Sequence, residues 1–446
     1  MLVYNMRLAA KSFKRNPGLT LLMVGAIALG IAACVVTMTL YHAMSGNPIW
    51  WKNDRLYAVT LDNWDPNKPF DPAHPGPPPQ LTYRDALYLA DSKIPVHHVV
   101  MHRNRAVLTG GTAQSHPQPV TTRMTTADFF VMFDVPFLYG GGWSAAADQG
   151  PEPVIVLSRR ENATLFGGIN SVGRTVRWND HEFRIVGVLD NWSPRPKFYD
   201  LNNSAFLPPE DTYIPFGWTA ALQLIPNGGN HQCWRIEAIR TFEDYLNADC
   251  IWVQMWVDLP ATRSRERMQA FMDSYWAAQH AAGRYQRPRD NRLTPVSQWL
   301  VDNEVVTNDN RMLLGLAFAF LTVCVINTVG LLLAKFLNGA PLTGVRRALG
   351  ASRRQIFAQH LVETGLLASA GAVLGLGFAA LGLSVLHALL ADAAALGAPG
   401  YQDLTRIDTY SVAVAVVLSI VAALAAGLYP AWRVARVPPA IYLKSQ

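Results

Sequence analysis

The sequence lacks the motifs that mark common classes of enzyme. It contains no G-x-S-x-G nucleophile turn, no H-E-x-x-H zinc helix and no carboxylate pair whose spacing requires acid–base chemistry. One segment, GGINSVGRT at residues 167–175, approaches a phosphate-binding loop, but Arg174 stands where that loop has lysine. A helix is expected before this segment and a strand after it, which is the wrong order for presenting a helix N-terminus to phosphate. We therefore expect no catalytic residue and no nucleotide site in this chain.

Charge is also scarce. Only 16% of the 446 residues are charged, 50% are hydrophobic, and the mean hydropathy is +0.11. Four segments contain no Asp, Glu, Lys or Arg, namely residues 19–43, 312–334, 364–390 and 410–429. Each is long enough to cross the roughly 30 Å hydrocarbon core as a helix. The basic residues before the first segment resemble a secretory signal, but its apolar run is about twice the usual length. The sequence therefore predicts four transmembrane helices and an uncleaved first one.

The distribution of lysine and arginine predicts the orientation of these helices. The flanks before the first, between the second and third, and after the fourth carry four, five and three basic residues. The loop between the third and fourth carries three aspartates against one arginine. Because basic flanks remain cytoplasmic, both termini are predicted inside and about 265 residues between the first two helices outside. The net charge of +6 is then a cytoplasmic surplus and does not indicate nucleic acid.

These predictions divide the chain into nine segments. They are a cytoplasmic amphipathic helix at 1–18, a first transmembrane helix at 19–43, an outer domain with a stalk at 44–310, a second transmembrane helix at 311–335, a cytoplasmic loop at 336–360, a third transmembrane helix at 361–390, an outer loop at 391–409, a fourth transmembrane helix at 410–429 and a cytoplasmic tail at 430–446.

The outer segment is expected to fold as an α+β domain. EPVIVLS is typical of a buried strand, RRENATLFGG of a helix, and RTVRW and HEFRIVGVL of a hairpin that turns at Asn179 and Asp180. IWVQMWVDL alternates as a strand, and the residues after it form an amphipathic helical pattern. The proline-rich residues 62–80 should run extended. SQWLVDNEVVTNDNR contains neither Gly nor Pro, so the second transmembrane helix is expected to continue into the domain as a rigid stalk.

The four cysteines fall into two groups. Cys34 and Cys324 lie inside apolar helices, where cysteine acts as a small hydrophobic residue. Cys233 and Cys250 both lie in the outer segment, where an oxidising compartment favours a disulfide between them; two unpaired structural thiols are the alternative.

Three histidines in the outer segment can be interpreted as a metal cluster or as ordinary polar positions. They are His97, His98 and His102. The valines between them favour a strand, which would separate the three rings, so we predict no metal site.

TGVRRALGASRRQIF, residues 343–357, places four arginines between two apolar segments. As a helix, it sets Val345, Leu349, Ile356 and Phe357 along one side and the arginines on others. The Gly-Ala-Ser sequence predicts a break capped at Ser352, followed by a helix that continues into the third transmembrane helix. Anchoring to anionic lipid, at about 1 kcal/mol per basic residue, accounts for the charge but not for the break.

Several segments resemble known permease families. GVRRALGASRRQIFAQHLVETGLL is similar to the loop and helix start of the FtsX-like permeases, with Glu363 at their acidic position. GLYPAWRVARVPPAIYLKSQ resembles their closing segment, and MRLAAKSFKRNPGLTLL their amphipathic start. TTADFFVMFDVPFLYGG, with the strand, helix and hairpin from residue 153 onward, resembles the MacB-type periplasmic core. One departure is NGAPLTG, which has Pro341 and no acid where the family has Arg and Glu.

The resemblance implies the permease subunit of a MacB-type ABC exporter in the bacterial inner membrane, without a fused ATPase domain. Its fold would be four transmembrane helices with a large α+β periplasmic core domain inserted between the first and second. ATP and Mg²⁺ would be bound by a separate ATPase subunit, so this chain is expected to need no cofactor of its own. The residues expected to couple to that subunit are Gly344, Arg346, Arg347, Gly350, Ala351, Ser352, Arg353, Arg354 and Ile356.

Further partners are a second permease chain, membrane lipid and, in MacB-type systems, a periplasmic adaptor and a TolC-like outer-membrane channel. Ala26 and Gly30 in the first helix, and Gly371 and Gly375 in the third, have the spacing that permits close helix approach, which fits a paired permease. The altered segment at Pro341 favours a non-identical partner. The alternatives are a lipoprotein-releasing complex, an FtsX-like regulator and a scaffold that moves no substrate.

Overall fold

The computed structural model describes residues 2–73, 75–110, 116–226, 231–235, 237–395 and 409–436. The chain divides into two compact units. The membrane unit comprises Met1–Ser45 and Val306–Gln446, and the outer domain comprises Gly46–Val305. The outer domain is therefore an insertion between the first long helix and the remaining ones. The predicted outer loop at 391–409 and the end of the predicted tail, residues 437–446, lie largely or wholly outside the described residues.

The described residues form helices and strands in the following order. The helices are α1 (Leu2–Arg15), α2 (Pro17–Ser45), α3 (Tyr83–Ala90), α4 (Asp128–Met132), α5 (Ala146–Gln149), α6 (Arg159–Phe166), α7 (Trp218–Ala221), α8 (Phe242–Asn247), α9 (Thr262–Ala281), α10 (Val296–Asp302), α11 (Asn308–Asn338), α12 (Ala340–Ala348), α13 (Arg353–Ala395) and α14 (Thr409–Ala435). The strands are β1 (Leu56–Thr60), β2 (Leu81–Thr82), β3 (His97–Gly110), β4 (Gln118–Thr125), β5 (Phe137–Gly140), β6 (Val154–Leu157), β7 (Thr175–Trp178), β8 (His181–Leu189), β9 (Thr212–Pro215), β10 (Gln232–Cys233), β11 (Cys250–Asp258) and β12 (Arg292–Pro295). Short 3₁₀ helices occur at Trp50–Lys52 and Phe198–Asn203.

The membrane unit is built from the four helices that hydropathy predicted. α2, α11, α13 and α14 each contain a stretch long and apolar enough to cross a membrane. Their contact faces are small or branched, with Ile27, Ile31 and Cys34 of α2 packed among buried residues of the other three helices. Many apolar side chains on the opposite faces, such as Leu21 and Val373, are exposed, as lipid-facing positions require. The prediction of a four-helix membrane protein is confirmed.

The small residues in α2 and α13 allow close helix contacts within this one chain. A Cβ atom on Gly371 would lie 2.7 Å from Cγ2 of Ile27, and one on Gly375 would lie 2.9 Å from the carbonyl oxygen of Ala28. Gly30 faces α11, where a Cβ atom would lie 3.2 Å from Cα of Leu321. Ala26 in the same helix is half-buried. These glycines therefore pack helices inside the membrane unit.

In the described part of the outer domain, twelve strands form one sheet. The main order is β12-β1-β11-β3-β4-β9-β6-β8-β5, with β2 and β10 paired to β11 and β7 paired to β3 and β8. Most pairs are antiparallel, while β4–β9 and β6–β8 are parallel. Helices packed on this sheet complete the α+β domain that the sequence predicted. β11 is buried at every position, because it lies in the middle of the sheet and is covered on both faces.

The predicted stalk is not continuous. α10 ends at Asp302, and α11 begins only at Asn308. Glu304 has a φ of 47°, its N–H donates to Val301 O at 3.0 Å, and Val305 N–H donates to Leu300 O at 3.1 Å. These bonds form a Schellman stop, in which the buried side chains of Leu300 and Val305 flank the left-handed residue. The prediction was wrong because burial of Val305 ends the helix although no glycine is present.

A fully buried ionic network lies inside the outer domain. Arg123 on β4 bonds both Asp200 and Glu210, and Nζ of Lys197 lies 3.1 Å from a carboxylate oxygen of each. Gln254 Nε2 also donates to Asp200 Oδ1 at 2.7 Å. Burial opposes ionisation of Asp200, but the charges of Arg123 and Lys197 outweigh it and hold its pKa well below the usual range. Two cations and two carboxylates thus balance one another without solvent.

The three histidines of β3 do not form a common site. Nδ1 of His97 lies 3.0 Å from Oδ1 of Asp128, whereas Nε2 of His102 lies 2.8 Å from Oγ1 of Thr219. Burial lowers the pKa of His102 to about 3, so this ring is neutral. His97 and His102 are thus held by different neighbours, as ordinary polar positions in a strand are.

Cys233 and Cys250 form a disulfide across the β10–β11 pair. They stand directly opposite each other, with Cα atoms 4.3 Å apart. Cys233 is exposed and Cys250 is buried. Cys34 and Cys324 are free and buried in the membrane unit.

We expect Gly375→Ala to destabilise the membrane unit by about 1–3 kcal/mol, because its Cβ would press on backbone of α2, which cannot move aside as a flexible side chain does. Thermal unfolding of the purified protein in detergent measures the effect. Gly377→Ala is the matched control, since it has the same helix-propensity gain and no atom within 4 Å of its Cβ. Equal unfolding temperatures for the two variants would show that the α2–α13 contact is not close.

Candidate coupling site

The arginine-rich segment folds as two helices joined by a tight turn. α12 begins at Ala340 with Pro341 in its first turn, a position where proline suits a helix. It ends before Gly350, whose φ of 102° is accessible mainly to glycine. Ser352 then caps α13: Gln355 N–H donates to Ser352 Oγ at 3.2 Å, and Ser352 N–H donates to Gln355 Oε1 at 2.8 Å. This reciprocal pair is a capping box, and it forms the break that the Gly-Ala-Ser sequence predicts.

The four arginines are in two different environments. Arg346 and Arg347 on α12 are half-buried, and Arg346 Nη1 donates to Gln359 Oε1 of α13 at 2.9 Å. Arg353 and Arg354 are exposed in the first turn of α13. That turn contains no acidic residue, so both positive charges face the positive end of the helix dipole. Arg346 therefore braces α12 against α13, and Arg353 and Arg354 are presented to the surroundings.

The apolar residues of this segment do not share one side, as the sequence suggested they would. Ile356 is only 3% exposed and enters the helix bundle, whereas Leu349 is 83% exposed and Val345 is also exposed. The turn at Gly350 changes the chain direction between α12 and α13. A single helical periodicity therefore does not describe the positions of residues on both helices. Leu349, Val345, Arg353 and Arg354 form an exposed surface, the candidate for coupling, which is called the coupling surface below. Gly344 is buried and Ala351 is half-buried beneath it.

A buried charge cluster supports the helices on either side of this surface. Nζ of Lys335, near the end of α11, lies 2.8 Å from Oε1 of Glu363 in α13, and both side chains are almost fully buried. Ser12 Oγ of α1 donates to the same oxygen at 2.6 Å. Lys335 Nζ also lies 4.9 Å from the centre of the Phe13 ring. One carboxylate thus joins α1, α11 and α13.

Glu363 stands out in the sequence as an acidic position, but its pairing with Lys335 was not predicted. Glu363 is the one acid in the three basic flanks, and Lys335 directly follows an apolar run. A single acid and a basic residue at the ends of adjacent membrane helices are a signal for an ion pair, because an isolated charge is costly there. His360 adds to the cluster, with Nδ1 3.5 Å from Glu363 Oε2 and its ring 4.1 Å from that of Phe336.

Comparison with known families identifies the architecture. A model of the MacB-like periplasmic core domain matches residues 20–273, and a model of the FtsX-like permease C-terminal region matches residues 314–439. The chain belongs to the MacB/FtsX-like family of ABC permeases. The resemblance seen in the sequence is therefore confirmed. Both the coupling surface and the Lys335–Glu363 pair of this permease lie within the FtsX-like region, and its disulfide lies within the MacB-like region.

Two solved structures are similar to part of the permease. One is the periplasmic region of MacB from Actinobacillus actinomycetemcomitans, with 14% identity over 56% of this chain and 92% of that chain, at a TM-score of 0.34. The other is the extracellular domain of YknZ, a noncanonic ABC-type transporter from Gram-positive bacteria, with 9% identity over 54% of this chain and 99% of that chain, at a TM-score of 0.33. No curated protein matches the chain.

Family membership carries one consequence for the partners of this permease. An ABC permease works with an ATPase subunit and with another permease chain. The family models that match this chain describe a periplasmic core and a permease region. A surface for the ATPase subunit must therefore exist on the permease.

Glu363→Gln removes the carboxylate and leaves the ammonium of Lys335 buried without its partner. We expect this substitution to destabilise the membrane unit by about 3–5 kcal/mol, as measured by unfolding of the purified protein in detergent. The double variant Lys335→Met with Glu363→Gln removes both charges and should recover most of that loss. A single variant as stable as the original protein would show that the pair contributes nothing to the fold.

Proposed function

We propose that this permease is the membrane subunit of a MacB-type exporter in the bacterial inner membrane. Its termini and the α12–α13 turn lie in the cytoplasm, and its outer domain lies in the periplasm. A separate ATPase subunit binds ATP and Mg²⁺, and the permease passes the motion of that subunit to the outer domain to expel a substrate. Family membership and the one-sided distribution of basic residues support this assignment.

The exposed arginines at the start of α13 carry the proposal. Arg353 and Arg354 stand in a helix turn where positive charge is unfavourable by about 0.3–1 kcal/mol per residue. The unfavourable position of these two arginines needs a compensating interaction. An acidic surface on a protein partner supplies one. Leu349, also exposed, offers that partner an apolar contact. Gly344, Gly350, Ala351 and Ser352 shape the turn, while Arg346 and Ile356 hold it against the membrane helices and Arg347 is half-buried on α12.

The helix that begins at these arginines is suited to transmitting movement. α13 runs without interruption for 43 residues, or about 65 Å, which exceeds the thickness of the bilayer. A displacement of its first turn is therefore transmitted along the whole helix. The Lys335–Glu363 pair and Ser12 pass the displacement to α11 and α1.

In our proposal, the non-helical residues 303–307 affect how movement of the membrane helices reaches the outer domain. Because α10 ends in a Schellman stop, α11 does not enter the outer domain as a rigid rod. In our proposal the outer domain follows the membrane helices through two short covalent connections, residues 46–49 and 303–307. Such a pair of links permits the domain to tilt as the helices move.

The complete complex contains further subunits in our proposal. A second permease chain completes the membrane part, and Pro341, which the first turn of α12 accommodates, favours a related but non-identical chain. A periplasmic adaptor and a TolC-like outer-membrane channel would continue the export path. Lipoprotein release, FtsX-like regulation and scaffolding use the same membrane plan, and they differ from export in what the outer domain handles.

We expect the double variant Arg353→Glu with Arg354→Glu to bind the ATPase subunit at least about tenfold more weakly, equivalent to about 1.4 kcal/mol, because two attractive charges become repulsive. Co-purification from membranes and ATP hydrolysis by the reconstituted complex measure the effect. Arg15→Glu is the control, since it reverses an exposed basic residue in another predicted cytoplasmic flank, outside the coupling surface. If both variants bound the ATPase equally well, lipid anchoring would remain the role of the arginines.

A further inference from the structure

Two adjacent tryptophans at the start of the outer domain are exposed. Trp50 and Trp51 are 72% and 55% exposed, and they occupy the 3₁₀ turn Trp50–Lys52. Other tryptophans of this domain, such as Trp178 and Trp252, are fully buried in its core. Exposure of two large rings side by side is unfavourable in water and needs an explanation from the surroundings of the turn.

The exposed turn is held rigidly. Trp51 Nε1 donates to Asp134 Oδ2 at 2.9 Å, and Lys52 Nζ lies 2.6 Å from Asp134 Oδ1. Lys52 Nζ also donates to the carbonyl oxygens of Val131 and Met132, at 3.2 and 3.1 Å. Val131, on the α4 turn so contacted, is itself exposed. The ring of Trp51 is therefore fixed in an exposed position, and the ring of Trp50 lies edge-on to it with the ring centres 5.9 Å apart.

This turn lies where the chain both enters and leaves the outer domain. Asn53 Oδ1 accepts a hydrogen bond from Asn47 Nδ2 at 2.9 Å and another from Ser297 N–H at 2.9 Å. Asn47 follows α2, and Ser297 belongs to α10, which precedes α11. Because α2 and α11 are membrane helices, the end of the domain that contains Asn53 is the end tethered to the bilayer on both sides. Val301 of α10 is a further exposed apolar residue at this end.

We propose that Trp50 and Trp51 insert into the headgroup region of the outer leaflet and seat the outer domain on the membrane. Trp50 follows the last residue of α2, Ser45, by five residues, a span of at most about 18 Å. Tryptophan is enriched at this depth because its ring is apolar and its N–H is polar. The ammonium of Lys52 is engaged by Asp134, so the surface takes lipid through its rings and shows no preference for anionic headgroups. This inference is independent of the export function.

The test uses the full chain in nanodiscs of phosphatidylcholine whose acyl chains are brominated either close to the headgroup or near the bilayer centre. Bromine quenches tryptophan fluorescence only at contact. We expect the shallow probe to quench the original protein, and the double variant Trp50→Phe with Trp51→Phe to lose a large share of that quenching. Trp276→Phe, which removes a tryptophan of α9, is the control and should leave the quenched signal unchanged.

Two outcomes overturn the proposal. The first is equal quenching of the original protein and the double variant by the shallow probe, which would place the two rings away from lipid. The second is quenching that appears only when anionic lipid is added to the phosphatidylcholine, which would assign the contact to charge. Phenylalanine keeps an aromatic ring at each position. Matching thermal unfolding curves for all three proteins establish that the fold is retained.

Discussion

The ion pair between Lys335 and Glu363 is the contact on which the arrangement of the membrane unit depends. A charge among apolar helices is tolerated only when an opposite charge neutralises it, so each residue fixes the position of the other. The α12–α13 turn lies between them in the sequence. Its base is therefore anchored at both ends, and Ser12 attaches the amphipathic α1 to the same carboxylate. In our proposal, this support holds the surface that receives the motion of the ATPase subunit.

The coupling surface combines this fixed base with residues whose side chains are exposed. Ile356 and Gly344 face inward and Arg346 bonds Gln359, so the turn has a defined shape without any partner. Arg353, Arg354 and Leu349 then remain on the outside, two of them in a turn that disfavours positive charge. The continuous helix α13 connects this surface to the far side of the membrane. These features together favour a permease that transmits motion over one that only anchors a domain.

Hydropathy predicted the four membrane helices because lipid leaves the backbone no alternative to internal hydrogen bonds. The capped break at Ser352 was also accessible from sequence, since glycine followed by a capping residue has a local cause. Features that depend on contacts between distant residues could not be predicted from the sequence. The pairing of Lys335 with Glu363 needs two helices side by side, and the outward position of Leu349 follows from the bend at Gly350. The stop at Glu304 depends on burial of Val305, which no local pattern reveals, and β11 owes its two-sided burial to its place in the sheet.

The central claim is that the exposed turn at the start of α13 meets an ATPase subunit in the cytoplasm. A photo-reactive amino acid introduced in place of Arg353, in cells that express the whole complex, tests this contact directly. The account predicts a covalent adduct with the ATP-binding subunit, and none when the same residue replaces Arg263 in the outer domain. Adducts with lipid alone, or labelling of position 353 by a membrane-impermeant reagent from the periplasmic side, would contradict it.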